Sequence, residues 1–181
     1  MRNGLIWFCS FVLVLLAVAA PARTQEDKSK RPSPPAQAKF AFPDGKTITI
    51  DYSSPRMRGR KIFGGLVPYG KVWRLGANDA TTFVTTSDLN VGGTAVPAGS
   101  YTLFAIPETG KWTLIISKTT GEWGTNYSGP GNDLARIKID SSALSSPVQD
   151  FLIAFDKSGD ACVLRFDWET TRASVDISER K

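Results

Sequence analysis

The sequence predicts an all-β protein: a single antiparallel β-sandwich, jelly-roll or immunoglobulin-like, of about ten short strands. Three observations carry that prediction. From Ala38 onward, short runs alternate apolar and polar residues with the period of two that a half-buried strand requires. Gly, Pro, Asn and Asp clusters separate the runs at short intervals, and no stretch shows the 3.6-residue apolar repeat of an amphipathic helix.

Taken in order, Lys39–Phe42, the turn Pro43-Asp44-Gly45 and Lys46–Tyr52 read as strand, turn and strand, with Ile48, Ile50 and Tyr52 sharing one face. Thr81–Thr86 is β-branched and aromatic; Leu89–Val91 turns at Gly92-Gly93 into Thr94–Val96. Ser100–Ile106 is apolar on both faces, which predicts a central strand. Lys111–Ser117 places Trp112, Leu114 and Ile116 on one side, and the glycine-rich stretch 118–132 reads as a long loop. Four runs finish the chain: Leu134–Ile139, Val148–Phe155, Ala161–Trp168 and Arg172–Ile177. Pro147 and its neighbouring serines predict a break before the second run, with room for at most one helical turn over Ser141–Ser146. Lys157–Asp160 predicts a tight hairpin between the second and third.

The N-terminus has a different texture. Arg2, an apolar run from Leu5 to Ala20 and the small residues Ala20-Pro21-Ala22 form a signal-peptide pattern over 1–22, cleaved after Ala22. The competing reading, a retained anchor, asks for roughly 20 apolar residues, more than this run supplies. Cys9 lies inside the run rather than just after it, so the lipoprotein arrangement is not met. The expected address is therefore secreted or periplasmic. Residues 23–37 hold nothing apolar larger than alanine or proline and mix both charges, which predicts a disordered leader. That leaves 38–181 as one β-sandwich domain.

Composition excludes several chemistries. The chain has no histidine, which removes the Ser-His-Asp and Cys-His nucleophilic arrangements and the usual zinc, copper and iron sites. With Cys9 gone, Cys162 stands alone, so no intrachain disulfide forms; its alternating apolar surroundings predict a buried, inert thiol. The formal charge of +5 is too mild for a nucleic-acid binder, and no glycine pattern matches a P-loop or dinucleotide site. Neither a metal nor a cofactor is expected. Asp156 with Asp160, or Asn132 with Asp133, lack the dense spacing of a calcium loop. Among 17 acids some carboxylate pair will always lie at glycosidase distance, so sequence alone says little there.

Specific chemistry concentrates in Pro55–Thr82. Arg56, Arg58, Arg60, Lys61, Lys71 and Arg74 stand there against the single acid Asp79, and five glycines interrupt the segment. Arg74 is a candidate for gripping a carboxylate or phosphate through two parallel hydrogen bonds, and Asn78 offers both a donor and an acceptor. Trp73 and Tyr69 are candidates for stacking on a sugar or capping an apolar ligand. Strand alternation would put Lys71, Trp73 and Leu75 on one face and Val72 and Arg74 on the other. The structural alternative pairs Arg74 with Asp79 and sends Trp73 into the core. A second candidate is the loop Glu122–Tyr127, where Trp123 and Tyr127 sit beside Asn, Glu and glycine as in a carbohydrate-binding loop; Trp123 plugging an open end of the sandwich explains it equally well.

The stretches SPRMRGRKIFGGLVPYGKVWRLGANDATTF (Ser54–Phe83), VPAGSYTLFAIP (Val96–Pro107), KWTLIISK (Lys111–Lys118), EWGTNY (Glu122–Tyr127) and DLARIKI (Asp133–Ile139) together resemble the DUF2911 family of exported bacterial proteins. The resemblance runs from about Phe40 to Ile177 and implies a β-rich exported domain, with no catalytic residues to carry over. The family's characteristic polar positions fall on Arg60, Tyr69, Trp73, Arg74, Asn78 and Thr81. Where many relatives carry Glu after the Asn of the GAN motif, this chain has the shorter Asp79.

These readings lead to an exported, non-enzymatic domain binding a small polar, anionic or carbohydrate-like ligand, or an envelope partner. The candidate site is Arg60, Tyr69, Trp73, Arg74, Asn78, Asp79, Trp123 and Tyr127. The alternatives are a glycan hydrolase using Asp79 or Glu122 and a purely structural envelope protein.

Overall fold

A computed structural model describes residues 27–180; segment 1–22, for which a signal peptide is expected, lies outside the described residues. The all-β, antiparallel class holds. Nine strands join in one open sheet of order β1-β2-β3-β6-β7-β8-β9-β4-β5. They are β1 (Pro35–Ala41), β2 (Thr47–Ser53), β3 (Thr81–Thr85), β4 (Leu89–Val91), β5 (Thr94–Val96), β6 (Gly99–Pro107), β7 (Lys111–Ser117), β8 (Asp133–Ser158) and β9 (Ala161–Glu179).

Two of these are not short. β8 runs for 26 residues and β9 for 19, each absorbing two of the predicted runs. The expected break at Pro147 is a bulge instead: the β8–β9 register shifts between Ala143 and Val148 and again before Leu152. Proline has no N–H for a ladder, and an interruption in pairing is where a strand tolerates it. Ser141–Ser146 is accordingly strand, not helical turn. On the partner strand Glu169 takes a φ of +54° at the same place. β1 also starts earlier than the sequence suggests, at Pro35, and Lys28–Lys30 make one 3-10 turn capped by Asp27.

Bending brings the β1–β2 end of the sheet against β8. The Met57 N–H donates to Gln149 O (2.8 Å) and the Phe151 N–H to Pro55 O (2.9 Å), so the chain leaving β2 docks on the far half of β8. Tyr52 meets Phe151 edge-on at 5.8 Å, and Phe40 lies 5.9 Å from Phe155. The inward side chains of both halves fill one core, with Ile48, Ile50, Leu103, Trp112, Phe166 and Trp168 almost fully buried.

β6 is interior, as its two apolar faces predict, flanked by β3 and β7. Its second face carries Phe104, which with Ile115 and Ala80 forms a small separate cluster covered by Val72, Ile106 and Tyr127. The glycine-rich segment and the 118–132 loop are therefore the cover over an otherwise exposed apolar face, and this fixes where they sit.

Candidate functional site

The segment between β2 and β3 is pinned at several points. Gly70 N–H donates to Pro107 O (2.9 Å), and Trp73 exchanges two backbone hydrogen bonds with Ala105 (2.7 and 2.8 Å), extending the line of β3 along the free edge of β6. Trp73 and Leu75 turn into the core, while Val72 and Arg74 face the other way, as alternation predicts. The chain then reverses sharply. Leu75 and Asn78 both have positive φ, and the buried Thr81 hydroxyl donates to Leu75 O (2.6 Å) to hold the reversal. A Cβ on Gly76 would lie 2.9 Å from Ser53 O, so only glycine lets the two backbones approach.

The two candidate segments meet. Ala80 N–H donates to Glu122 O (3.0 Å) and Gly124 N–H to Asn78 O (3.1 Å), a short antiparallel bridge between 78–80 and 122–124. Cavities lie on both sides of this seam, and their chemistry differs.

The first, about 330 Å³, is lined by Lys28, Arg31, Asp51, Asp79 and Glu122 among others. It mixes both signs, with three acids and two cations. Asp79 pairs with Arg31 (3.4 Å) and Lys28 (3.6 Å), and the Arg31 guanidinium also sits 5.8 Å from the centre of the Trp123 ring. Glu122 accepts from Ser128 N–H (3.0 Å) through Oε1, while its buried Oε2 has no partner among the described residues.

The second cavity, about 310 Å³, is lined by Arg60, Lys71 and Arg74 over an apolar surface that includes Leu66, Trp73 and Trp168. No acid lines it. Among the described residues the Arg74 side chain has no ion-pair or hydrogen-bond partner: its Nε is buried and unsatisfied, and burial alone lowers its pKa from the ordinary arginine value. Arg60 folds onto its own turn, donating through Nε to Met57 O (2.9 Å) and through Nη2 to Arg56 O (2.7 Å), with no carboxylate opposite. Lys71 is exposed and likewise without an ion pair among the described residues. Three cations with no counter-charge beside a desolvated wall generate a local positive potential and attract anions. The volume stands near the lower end of the roughly 300–1,000 Å³ of small-molecule sites.

The expected site is thus divided. Arg60, Trp73 and Arg74 line one cavity, joined by Lys71 and Trp168. Trp73 does not stack on ligand as a free platform. It is 7% exposed, its ring contacts Phe63, Trp112, Phe151 and Trp168, and its Nε1 donates to Gly76 O (3.1 Å). The expected Arg74–Asp79 pair is absent among the described residues, because Asp79 faces the other cavity. Asn78 is spent on architecture: its amide donates to Ser33 O (3.1 Å) and Ser53 Oγ (3.2 Å), fastening the leader to β2. Tyr127 is spent likewise, donating to Asp133 (2.6 Å), accepting from Arg136 (2.7 Å) and packing on Phe104. Tyr69 lies over Gly64, beside a separate groove that includes Trp112. Trp123 is half exposed, under Arg31.

Lys71 was within reach of the sequence, since it shares the basic segment. Trp168 was not: it comes from β9, and only the bend of the sheet carries it there.

Fold and site together define a small all-β domain with an uncompensated cationic pocket. The chain belongs to the DUF2911 family: the family model described as "Protein of unknown function (DUF2911)" matches residues 33–177. No curated protein and no solved structure matches it.

Proposed function

We propose that the protein is an exported, non-enzymatic β-sandwich domain that holds a small anionic ligand in the Arg60–Lys71–Arg74 pocket. Export rests on the signal pattern of residues 1–22. The sandwich description is supported by the single core shared by the two halves of the bent sheet. The observation that carries the function is Arg74. A buried guanidinium nitrogen without a partner costs stability, and such a cost persists where a ligand supplies the missing acceptor.

The anionic choice is favoured over a carbohydrate because Asn78 and Tyr127, the groups suited to sugar hydroxyls, already have protein partners. The hydrolase alternative draws on Asp79 and Glu122, which line one cavity, but Asp79 is bound by Lys28 and Arg31 rather than presented as an acid.

Thermal unfolding in the presence of benzoate, inorganic phosphate or a neutral sugar tests the proposal. Wild type gains stability from at least one of the anions and none from the sugar, and Arg74→Met loses the gain. Equal responses from both proteins would overturn it.

A further inference from the structure

We propose that the ligand of this pocket is an organic phosphate monoester, a dianionic head on a small apolar body. The inference rests on the anion-pocket reading and goes further by counting charge and surface. Three cations line the cavity and no acid does. A carboxylate brings one charge and two acceptor oxygens, enough for Arg74 alone. It would leave Arg60 and Lys71 repelling each other across the pocket. A phosphate monoester brings about −1.5 to −2 charges at neutral pH and three acceptor oxygens, one for each cation.

The donors for those oxygens are available. Arg60 commits Nε and one hydrogen of Nη2 to backbone carbonyls, so Nη1 remains. Arg74 has no side-chain hydrogen bond among the described residues, so its terminal nitrogens remain for a ligand next to the buried Nε. Lys71 contributes an ammonium, a compact charge that suits phosphate without demanding one geometry. The two carbonyl bonds on Arg60 also hold its guanidinium in place, which reduces the entropy lost when ligand arrives.

The rest of the lining says that the ligand is not inorganic phosphate. Leu66, Val67, Pro68 and Val72 complete an apolar wall with Trp73 and Trp168, whose rings stack at 5.8 Å and 20°. A bare ion would leave that surface against water; an aryl or short alkyl group would cover it. Leu66 is 47% exposed, a large apolar side chain at the rim with no core to enter.

The decisive experiment is calorimetric titration of the purified chain with phenyl phosphate, inorganic phosphate and benzoate. Phenyl phosphate is expected to bind at least tenfold more tightly than either of the others. Lys71→Gln, a change at an exposed position, is expected to weaken phenyl phosphate severalfold and benzoate distinctly less, in proportion to their charges. Benzoate binding as tightly as phenyl phosphate would overturn the dianion while leaving the anion pocket intact. Inorganic phosphate binding as tightly would overturn the organic body. No binding of any of the three, or full binding by both Arg74→Met and Arg74→Lys, would remove the pocket itself.

Discussion

Asp167 and Arg74 are both ionic groups drawn into the protein, and they are treated in opposite ways. Asp167 is 1% exposed and fully engaged: Arg172 donates Nε and Nη2 to its two oxygens at 2.7 Å each, and Arg165 closes on Oδ2. Arg165 is itself backed by Asp156 (3.0 Å). All these residues lie on the β8–β9 pair, and the irregular pairing opposite Val148, with Glu169 at positive φ between Asp167 and Arg172, is where the strand departs from the regular alternation that would hold those two apart. Arg74 sits in irregular backbone, with a buried nitrogen that nothing among the described residues satisfies. A buried charge with complete partners belongs to the architecture; one left incomplete, beside two more cations and a cavity, is kept for something outside the chain.

Substitution at Asp167 gives the largest expected effect. Asp167→Ala strips the acceptor from two arginines and opens space in a buried layer, costing about 3 kcal/mol of stability. Chemical denaturation would register this as a lower midpoint with an unchanged slope. A loss below about 1 kcal/mol would mean that the pair is ornamental.

Arg74→Met moves the other way. It removes a half-buried cation whose Nε has no partner among the described residues and keeps an unbranched chain there, so stability rises by on the order of 1 kcal/mol while the response to anions disappears. Were Arg74 architectural, the same substitution would destabilise, and the contrast with Asp167 would collapse.

Cys162 sharpens the comparison with the smallest effect at neutral pH, since its contribution changes only in alkali. It handles burial by staying neutral: desolvation pushes its thiol from 9.0 up to about 12. The unfolded thiol ionises first on raising the pH, so this contribution is intact below pH 9 and lost between pH 9 and 12. The slope is at most about 1.4 kcal/mol per pH unit over that window, and Cys162→Ala should remove that share of it. At pH 8 the native thiol should resist iodoacetamide until the domain unfolds. Rapid alkylation of folded protein would show that the strand opens locally.

Which parts of the site were legible follows from which contacts are local. The basic, glycine-broken segment marks itself in sequence, and Trp73 and Arg74 take opposite faces there because a bridge to Ala105 imposes strand alternation. Asn78 and Asp79 look like site residues by composition, yet they hold the leader, through Ser33, Lys28 and Arg31. A leader without apolar residues reads as disordered because sequence does not show polar anchors waiting elsewhere. The partners of Tyr127 are hidden in sequence for the same reason: Asp133 and Arg136 become its neighbours only once the loop closes onto β8.

The sequence by itself determined the all-β class, the positions of most strands, the central place of β6 and the segment where chemistry gathers. Each of these depends on periodicity and turn residues within a few positions along the chain. Tertiary structure decided that β8 and β9 run through Pro147 and Glu169 as continuous strands, that Arg74 and Asp79 part to separate cavities, and that Trp168 joins the pocket. Those outcomes depend on hydrogen bonds and burial between residues far apart in the chain, and a local pattern carries no record of a partner that only folding supplies.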